Sequence, residues 1–220
     1  MNYAVILASG SGLRAGGEIP KQFIEIKGKT ILEYTISAFE KNKQTDRIIL
    51  VVSSNYLDFC KKFRFEKLYK ITEGGNKRQE SSRLGVNLIE EENAKVLIHD
   101  GARPFITDEI INDCYNALDT YNAIDTGIET TDTIVQINKK GLIEKTLERS
   151  SLLRCQTPQG FRAGLIKKAH KLAKEKNIEV TDDVGLIVKL GLGEVFAVKG
   201  NEDNIKITYP KDIETAKEKL

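Results

Sequence analysis

The chain has 220 residues, 40% of them hydrophobic and 30% charged, with a formal net charge of +2. That is enough for one domain over residues 1–220 with a substantial core. The near balance of charge excludes the polybasic signature of a nucleic-acid or membrane-surface binder, so any anion site must be built locally.

Cys60, Cys114 and Cys155 are widely spaced, odd in number and without a C-x-x-C pair. That argues against a disulfide framework or a structural zinc and for reduced thiols in a cytoplasmic protein. No cationic leader precedes the first apolar run, and no stretch reaches the length of a membrane span.

The first element is an apolar strand, Tyr3–Ala8. It runs into Ser9-Gly10-Ser11-Gly12-Leu13-Arg14, and Pro20-Lys21-Gln22-Phe23 follows. Glycines let backbone N–H groups approach phosphate oxygens, and two cations on a solvent-facing loop would offset a triphosphate's charge. Three other readings exist. Gly10–Ala15 satisfies the dinucleotide pattern G-x-G-x-x-A, but that needs a helix starting in the loop, which Gly16, Gly17 and Pro20 oppose. A P-loop fails because Gln22, not Ser or Thr, follows Lys21. A plain glycine turn with solvated cations is the bland reading.

Downstream, strand-like runs alternate with helical patterns. Strands are expected at Arg47–Ser53, Lys95–His99, Ala123–Ile128 and Glu194–Val198. Helices are expected at Thr30–Lys41, Gln79–Glu90, Asp108–Tyr121, Ala163–Lys176, Asp182–Leu190 and Pro210–Leu220. Continuous Val- and Ile-rich strands belong to sheets covered on both faces. The alternation predicts an α/β fold with a doubly wound, mostly parallel sheet, whose ligands bind beyond the carboxyl ends of the strands. One segment breaks the pattern. Thr133–Asn138 and Leu142–Leu147 flank Lys139-Lys140-Gly141 and read as a β-hairpin, an arm at about 132–150. A lone hairpin is marginal in water, so it must pack on its own domain or on a partner.

Taken in order, several runs together resemble the cytidylyltransferases that make CDP-methylerythritol and CDP-polyols. They are Gly10–Arg14, Pro20–Phe23, Gly74-Gly75-Asn76-Lys77-Arg78, His99-Asp100-Gly101-Ala102-Arg103-Pro104, Asp132-Thr133-Ile134, Gln156-Thr157-Pro158-Gln159, Thr181-Asp182-Asp183 and Asn204–Thr208. The resemblance spans nearly the whole chain. It implies a Rossmann-like nucleotidyltransferase fold, Mg²⁺ as cofactor, and a homodimer whose arm reaches the neighbouring site. The implied reaction joins CMP from CTP to an alcohol phosphate and releases pyrophosphate. The acceptor phosphate is itself the nucleophile there, so positioned cations and a metal suffice.

By position, the resemblance makes Arg14, Lys21 and Lys206 the catalytic cations. Ala8, Ser9, Gly10, Ser11 and Gly12 would line the nucleotide, and Gly74, Gly75 and Ser81 would read cytosine. Asp100 would face the nucleotide, the acceptor and the metal. Arg103, Thr133, Arg149, Thr157 and Thr181 would bind the acceptor. His99 reads as a packed residue at a strand end and is left out of catalysis. Two acceptors stand: methylerythritol 4-phosphate, placed first, and ribitol 5-phosphate, towards which the acidic run Ala123–Thr133 leans through Asp125, Glu129 and Asp132. A non-catalytic nucleotide-binding module is the rival from another class, and retention of Arg14, Lys21, Asp100 and Lys206 speaks against it.

Overall fold

The computed structural model describes residues 1–10 and 19–220. In chain order the strands and helices begin with β1 (Asn2–Ala8), β2 (Glu25–Ile26), β3 (Lys29–Thr30), α1 (Ile31–Lys41), β4 (Arg47–Val52), α2 (Leu57–Cys60) and β5 (Leu68–Glu73). Next come α3 (Arg78–Val86), β6 (Lys95–Asp100), α4 (Asp108–Ala117), β7 (Ala123–Glu129), β8 (Val135–Ile137) and β9 (Ile143–Thr146). The chain then runs through β10 (Leu153–Arg162), α5 (Ala163–Glu175), α6 (Val184–Leu190), β11 (Phe196–Lys199) and α7 (Pro210–Lys219). The main sheet has seven strands in the order β11-β7-β10-β6-β1-β4-β5. All neighbours pair parallel except β10, which runs antiparallel between β6 and β7.

The side-chain period of two along β1 explains the two-sided core. Ala4, Ile6 and Ala8 face one cluster with Leu32, Ile36 and Phe39 of α1 and Ile110, Ile111 and Cys114 of α4. Tyr3, Val5 and Leu7 face the other, with Val86 of α3, Ile166 and Ala169 of α5 and Leu186 of α6. The doubly wound, mostly parallel α/β architecture is therefore present.

Two strands of the main sheet escape the sequence pattern. β5 lies at the sheet edge and alternates polarity without a buried apolar run (Leu-Tyr-Lys-Ile-Thr-Glu). β10 holds Pro158 and Gly160, residues that argue against a central strand. The structure accommodates them with a register shift between Cys155 and Gln159. A Cβ at Gly160 would stand 2.7 Å from Ile124 Cγ1, so close sheet packing requires the glycine there.

Several helices are shorter than their periodicity suggests. α3 ends at Val86, where the chain tightens into turns closed by Leu88 N–H to Gly85 O and Ile89 N–H to Val86 O. α6 starts only at Val184. The hairpin forms as β8 and β9, a two-stranded sheet separate from the main one, with Gly141 at φ +80° in its turn. Among the described residues, no helix is long and apolar enough to cross a membrane.

Candidate active site

A cavity of about 730 Å³ opens beyond the carboxyl ends of β1, β4, β5 and β6. It is lined by residues that directly follow those strands or close them: Ser9 and Gly10, Ser53 and Ser54, Gly74 and Gly75, and Asp100. Lys21, Gln22, Arg78, Ser81 and Lys206 also line it.

Lys21 lies on a one-turn 3-10 helix, Lys21–Phe23, and is buried at 8% exposure. The sequence suggests a solvent-facing loop for it, and the structure corrects this. Phe23 anchors the turn by stacking on Tyr56, with ring centroids 3.8 Å apart and planes at 6°. Gln22 is buried too, and its Nε2 donates to Ala8 O at 2.8 Å and to Gly10 O at 2.7 Å. The loop cation is thus fixed to the core on one side and to the end of β1 on the other. Arg14, Ser11 and Gly12 lie outside the described residues.

On the far wall, Ser9 Oγ and Ser81 Oγ are 2.7 Å apart, and Gly75 N–H donates to Ser81 Oγ at 3.1 Å. A Cβ on Gly74 would meet Ser9 Cβ at 2.4 Å and Ser81 Oγ at 2.8 Å. On Gly75 it would meet the Glu80 side chain, whose Oε2 accepts from Asn76 N–H at 3.2 Å. Gly74 is required by the Ser9 Cβ packed over it, whereas at Gly75 the Glu80 side chain could swing aside. The backbone of both glycines also faces the cavity, where the resemblance places cytosine.

At the floor, Asp100 closes β6 and is caged by cations. Arg78 Nε donates to its Oδ1 at 3.2 Å and Lys206 Nζ to its Oδ2 at 2.7 Å, while Arg103 Nε stands 3.9 Å from Oδ2. Burial alone would raise the Asp100 pKa, but Arg78 and Lys206 outweigh it and hold the carboxyl well below the usual carboxylate range. Arg78 is shared: its Nη1 donates to Asp183 Oδ2 at 2.7 Å. Asp183 is 1% exposed and is also held in its anionic form, since Arg78 and His170 more than offset its burial. His170 Nε2 lies 3.4 Å from Asp183 Oδ1.

His99 is fully buried beneath this floor. Its Nε2 faces the Arg103 carbonyl at 3.1 Å, an acceptor, so Nε2 carries the proton and Nδ1 accepts from the Thr157 hydroxyl at 3.0 Å. Thr157 Oγ1 in turn accepts the Asp100 N–H at 3.1 Å. Burial pulls the His99 pKa down to about 4, so the ring is neutral and structural, as its strand-end position suggests.

The structure gathers Lys21, Lys206, Asp100, Ser81, Gly74, Gly75, Ala8, Ser9 and Gly10 around one cavity. It does not bring the acceptor-side set into the lining. Arg103 is buried, and its Nη1 donates to Asn204 O at 2.6 Å, bracing the segment that carries Lys206. Thr157 spends its hydroxyl on His99 and Asp100. Thr181 is exposed. Thr133 and Arg149 are exposed on the arm, and Arg149 Nη1 donates to Thr131 O at 2.9 Å. Asp125, which leaned towards a polyol, accepts from Gln159 Nε2 at 2.9 Å inside the fold, and burial raises its pKa. It is a structural carboxylate of the sheet.

Arg78, Gln22 and Asp183 are absent from the sequence-based site. Each lies within a run quoted for the resemblance, but no spacing rule links Arg78 to residues 22 and 105 positions away.

Among the described residues, no cluster of three or more His, Cys, Asp or Glu side chains could hold a metal ion. Asp100 is a single ionised carboxylate on the cavity wall. Mg²⁺ typically takes one or two carboxylates and completes its shell with substrate phosphates and water, so Asp100 fits it once Arg78 or Lys206 turns from the carboxylate to those phosphates.

A family model described as IspD, 2-C-methyl-D-erythritol 4-phosphate cytidylyltransferase, matches residues 2–220. A protein of that description from Clostridium novyi (strain NT) is 42% identical over 217 residues, covering 96% of this chain and 93% of its own. The bifunctional ribulose 5-phosphate reductase/CDP-ribitol pyrophosphorylase Bcs1 of Haemophilus influenzae is 40% identical over 220 residues, covering 96% of this chain and 46% of its own. Among solved structures, the 4-diphosphocytidyl-2C-methyl-D-erythritol synthase of Anaerococcus prevotii DSM 20548 superposes with a TM-score of 0.88 at 31% identity, covering 100% of this chain and 96% of its own.

Proposed function

Because this chain belongs to the 2-C-methyl-D-erythritol 4-phosphate cytidylyltransferase family, we propose that its strand-end cavity takes CTP and that Lys21, Lys206 and Arg14 drive the transfer. The chain is a CTP-dependent cytidylyltransferase that acts on 2-C-methyl-D-erythritol 4-phosphate in isoprenoid precursor synthesis. An oxygen of the acceptor phosphate attacks the α-phosphorus of CTP. The bond from that phosphorus to the α–β bridging oxygen breaks, and pyrophosphate leaves with the electron pair. No proton need be abstracted, because the nucleophile is already an anion at neutral pH.

The observation that carries the site assignment is the convergence of Lys21, Lys206 and Arg78 on one cavity around an ionised Asp100. Charge accumulates on the transferring phosphoryl group and on the leaving pyrophosphate, and preorganised cations in a partly dry site stabilise it. Ser81 and the Gly74–Gly75 backbone form the wall where cytosine would be read. Asp100 would hold Mg²⁺, which when bound neutralises phosphate charge. The arm's Thr133 and Arg149 would serve the acceptor in the site of a second copy, giving a homodimer. That reading is supported by the arm's exposed apolar side chains, among them Ile137 and Ile143 at 60% and 66% exposure.

The test is pyrophosphate release from CTP and Mg²⁺ with a panel of alcohol phosphates. Wild type should prefer methylerythritol 4-phosphate over ribitol 5-phosphate by more than about tenfold, roughly 1.4 kcal/mol. The reverse preference would move the chain towards the CDP-ribitol relative and leave cytidylyl transfer intact. Lys21→Met keeps most of the buried stem and removes the charge. It should lower turnover by about 10²–10³, or roughly 3–4 kcal/mol. Near-normal turnover would remove Lys21 from catalysis.

A further inference from the structure

The Gln22 side chain does something the catalytic reading leaves unused. Both hydrogens of its amide are spent, one on Ala8 O at 2.8 Å and one on Gly10 O at 2.7 Å. Both partners are carbonyls, so the group facing them must be the NH₂, which settles the orientation of the amide. The residue is 4% exposed, and its neighbour in sequence is Lys21.

Two consequences follow from elementary geometry. In a trans peptide the C=O and the following N–H point in opposite directions. The Ala8–Ser9 bond is trans, since the Thr157–Pro158 bond is the cis peptide found among the described residues. With the Ala8 carbonyl drawn onto Gln22, the Ser9 N–H is turned away from it. Ser9 lies one residue past the β1 ladder, which ends at the Ala8–Val52 pair, and it lines the cavity. Gln22 also ties the segment carrying Lys21 to the chain leaving β1, across 14 and 12 residues of sequence. One side chain thereby fixes the separation between a fixed cation and a backbone donor.

We propose that Gln22 is a positioning residue for the nucleotide: it clamps the carbonyls of Ala8, at the end of β1, and of Gly10, presents the Ser9 N–H to bound CTP, and locks that donor in register with Lys21. The inference rests on the CTP reading of the cavity. Its ligand is the nucleoside triphosphate, and the acceptor is untouched by it. Loss of the clamp leaves the Gly10 carbonyl free to turn inwards, where it would repel phosphate oxygens.

The experiment is steady-state kinetics of Gln22→Met, which matches the side chain in length and lacks the donors. KM for CTP should rise at least tenfold while KM for the acceptor stays within twofold of wild type. A merely structural role would lower the active fraction, reducing kcat while leaving both KM values alone, and that result overturns the proposal. Should the variant fail to fold, amide exchange in the wild-type protein decides. CTP without acceptor should slow exchange of the Ser9 N–H at least tenfold, and an unchanged rate would refute the clamp. Wild type is assayed first with CTP and methylerythritol 4-phosphate. If it releases no pyrophosphate, the cytidylyltransfer reading fails. If it is active and Gln22→Met keeps its KM for CTP, only the role of Gln22 fails.

Discussion

Around Asp100 charged groups sit within hydrogen-bond reach in a partly dry pocket, whereas every residue of β8 and β9 is exposed and carries apolar side chains into solvent. The floor of the cavity is finished within one chain: Asp100, Arg78, Lys206 and Asp183 neutralise one another before any substrate arrives. The arm is unfinished. Ile137, Leu142 and Ile143 contribute nothing to the core clusters of their own chain. The first region pays in desolvation and recovers the cost by pairing. The second leaves apolar area in water until something covers it. A substitution should therefore act through unpaired charge in the first and through association in the second.

The largest expected effect is at Asp183. Asp183→Asn removes the buried partner of Arg78 and leaves the guanidinium facing Asp100 alone. Stripping one partner from a buried pair costs about 3–5 kcal/mol. Urea denaturation should show a loss of that order. The double variant Asp183→Asn with Arg78→Met should lose less than the sum of the two single changes, because the orphaned charge is gone. Additive losses would mean that the pair is not coupled.

Much of this floor was visible in the sequence, but not how it is wired. The strand ends, the glycine loop, Lys21, Asp100 and Lys206 stood out because apolar runs end at them or because they match the family's pattern. Arg78 did not, since a residue at the start of α3 and one at the end of β6 meet only through the parallel sheet order. Gln22 was hidden for a related reason: an amide that holds carbonyls has no charge signature. β10 was hidden because a proline, a glycine and three glutamine or threonine residues interrupt what is nevertheless a central strand. The hairpin was legible in full, for its pairing is local and its turn carries a glycine.

The next effect concerns pH. Burial pushes the His99 pKa down to about 4 in the folded chain, against about 6.5 when unfolded. Between those values the unfolded chain binds the proton and the folded chain does not, so stability falls as pH drops from about 6.5 towards 4. The loss across the window is on the order of 3 kcal/mol. The carboxylates of Asp100 and Asp183 are depressed, so their contributions persist through this window and are lost only at lower pH. Urea midpoints measured from pH 7 to 4.5, without metal, should fall in wild type and flatten in His99→Gln. An equal slope in both would show that His99 is not the buried neutral group described.

The smallest effect on the chain itself is expected from the arm, and it separates the two regions most cleanly. Ile137→Asp with Ile143→Asp places two carboxylates where the side chains are already 60% and 66% exposed. Neither position loses core packing, and surface changes of this kind usually stay within about 0.5 kcal/mol each. The folded protomer should therefore keep its urea midpoint when measured at a concentration where wild type is also monomeric. Association should behave differently. If a second copy covers these side chains, burying two charges opposite apolar surface is unfavourable, and sedimentation should show wild type as a dimer and the variant as a monomer at the same concentration. Turnover should fall with the dimer, because Thr133 and Arg149 would no longer reach a neighbour's acceptor. Equal sedimentation of the two proteins would mean that the arm's apolar face meets no second copy. A large loss of protomer stability would mean that the arm packs on its own chain, and the contrast with the Asp100 floor would disappear.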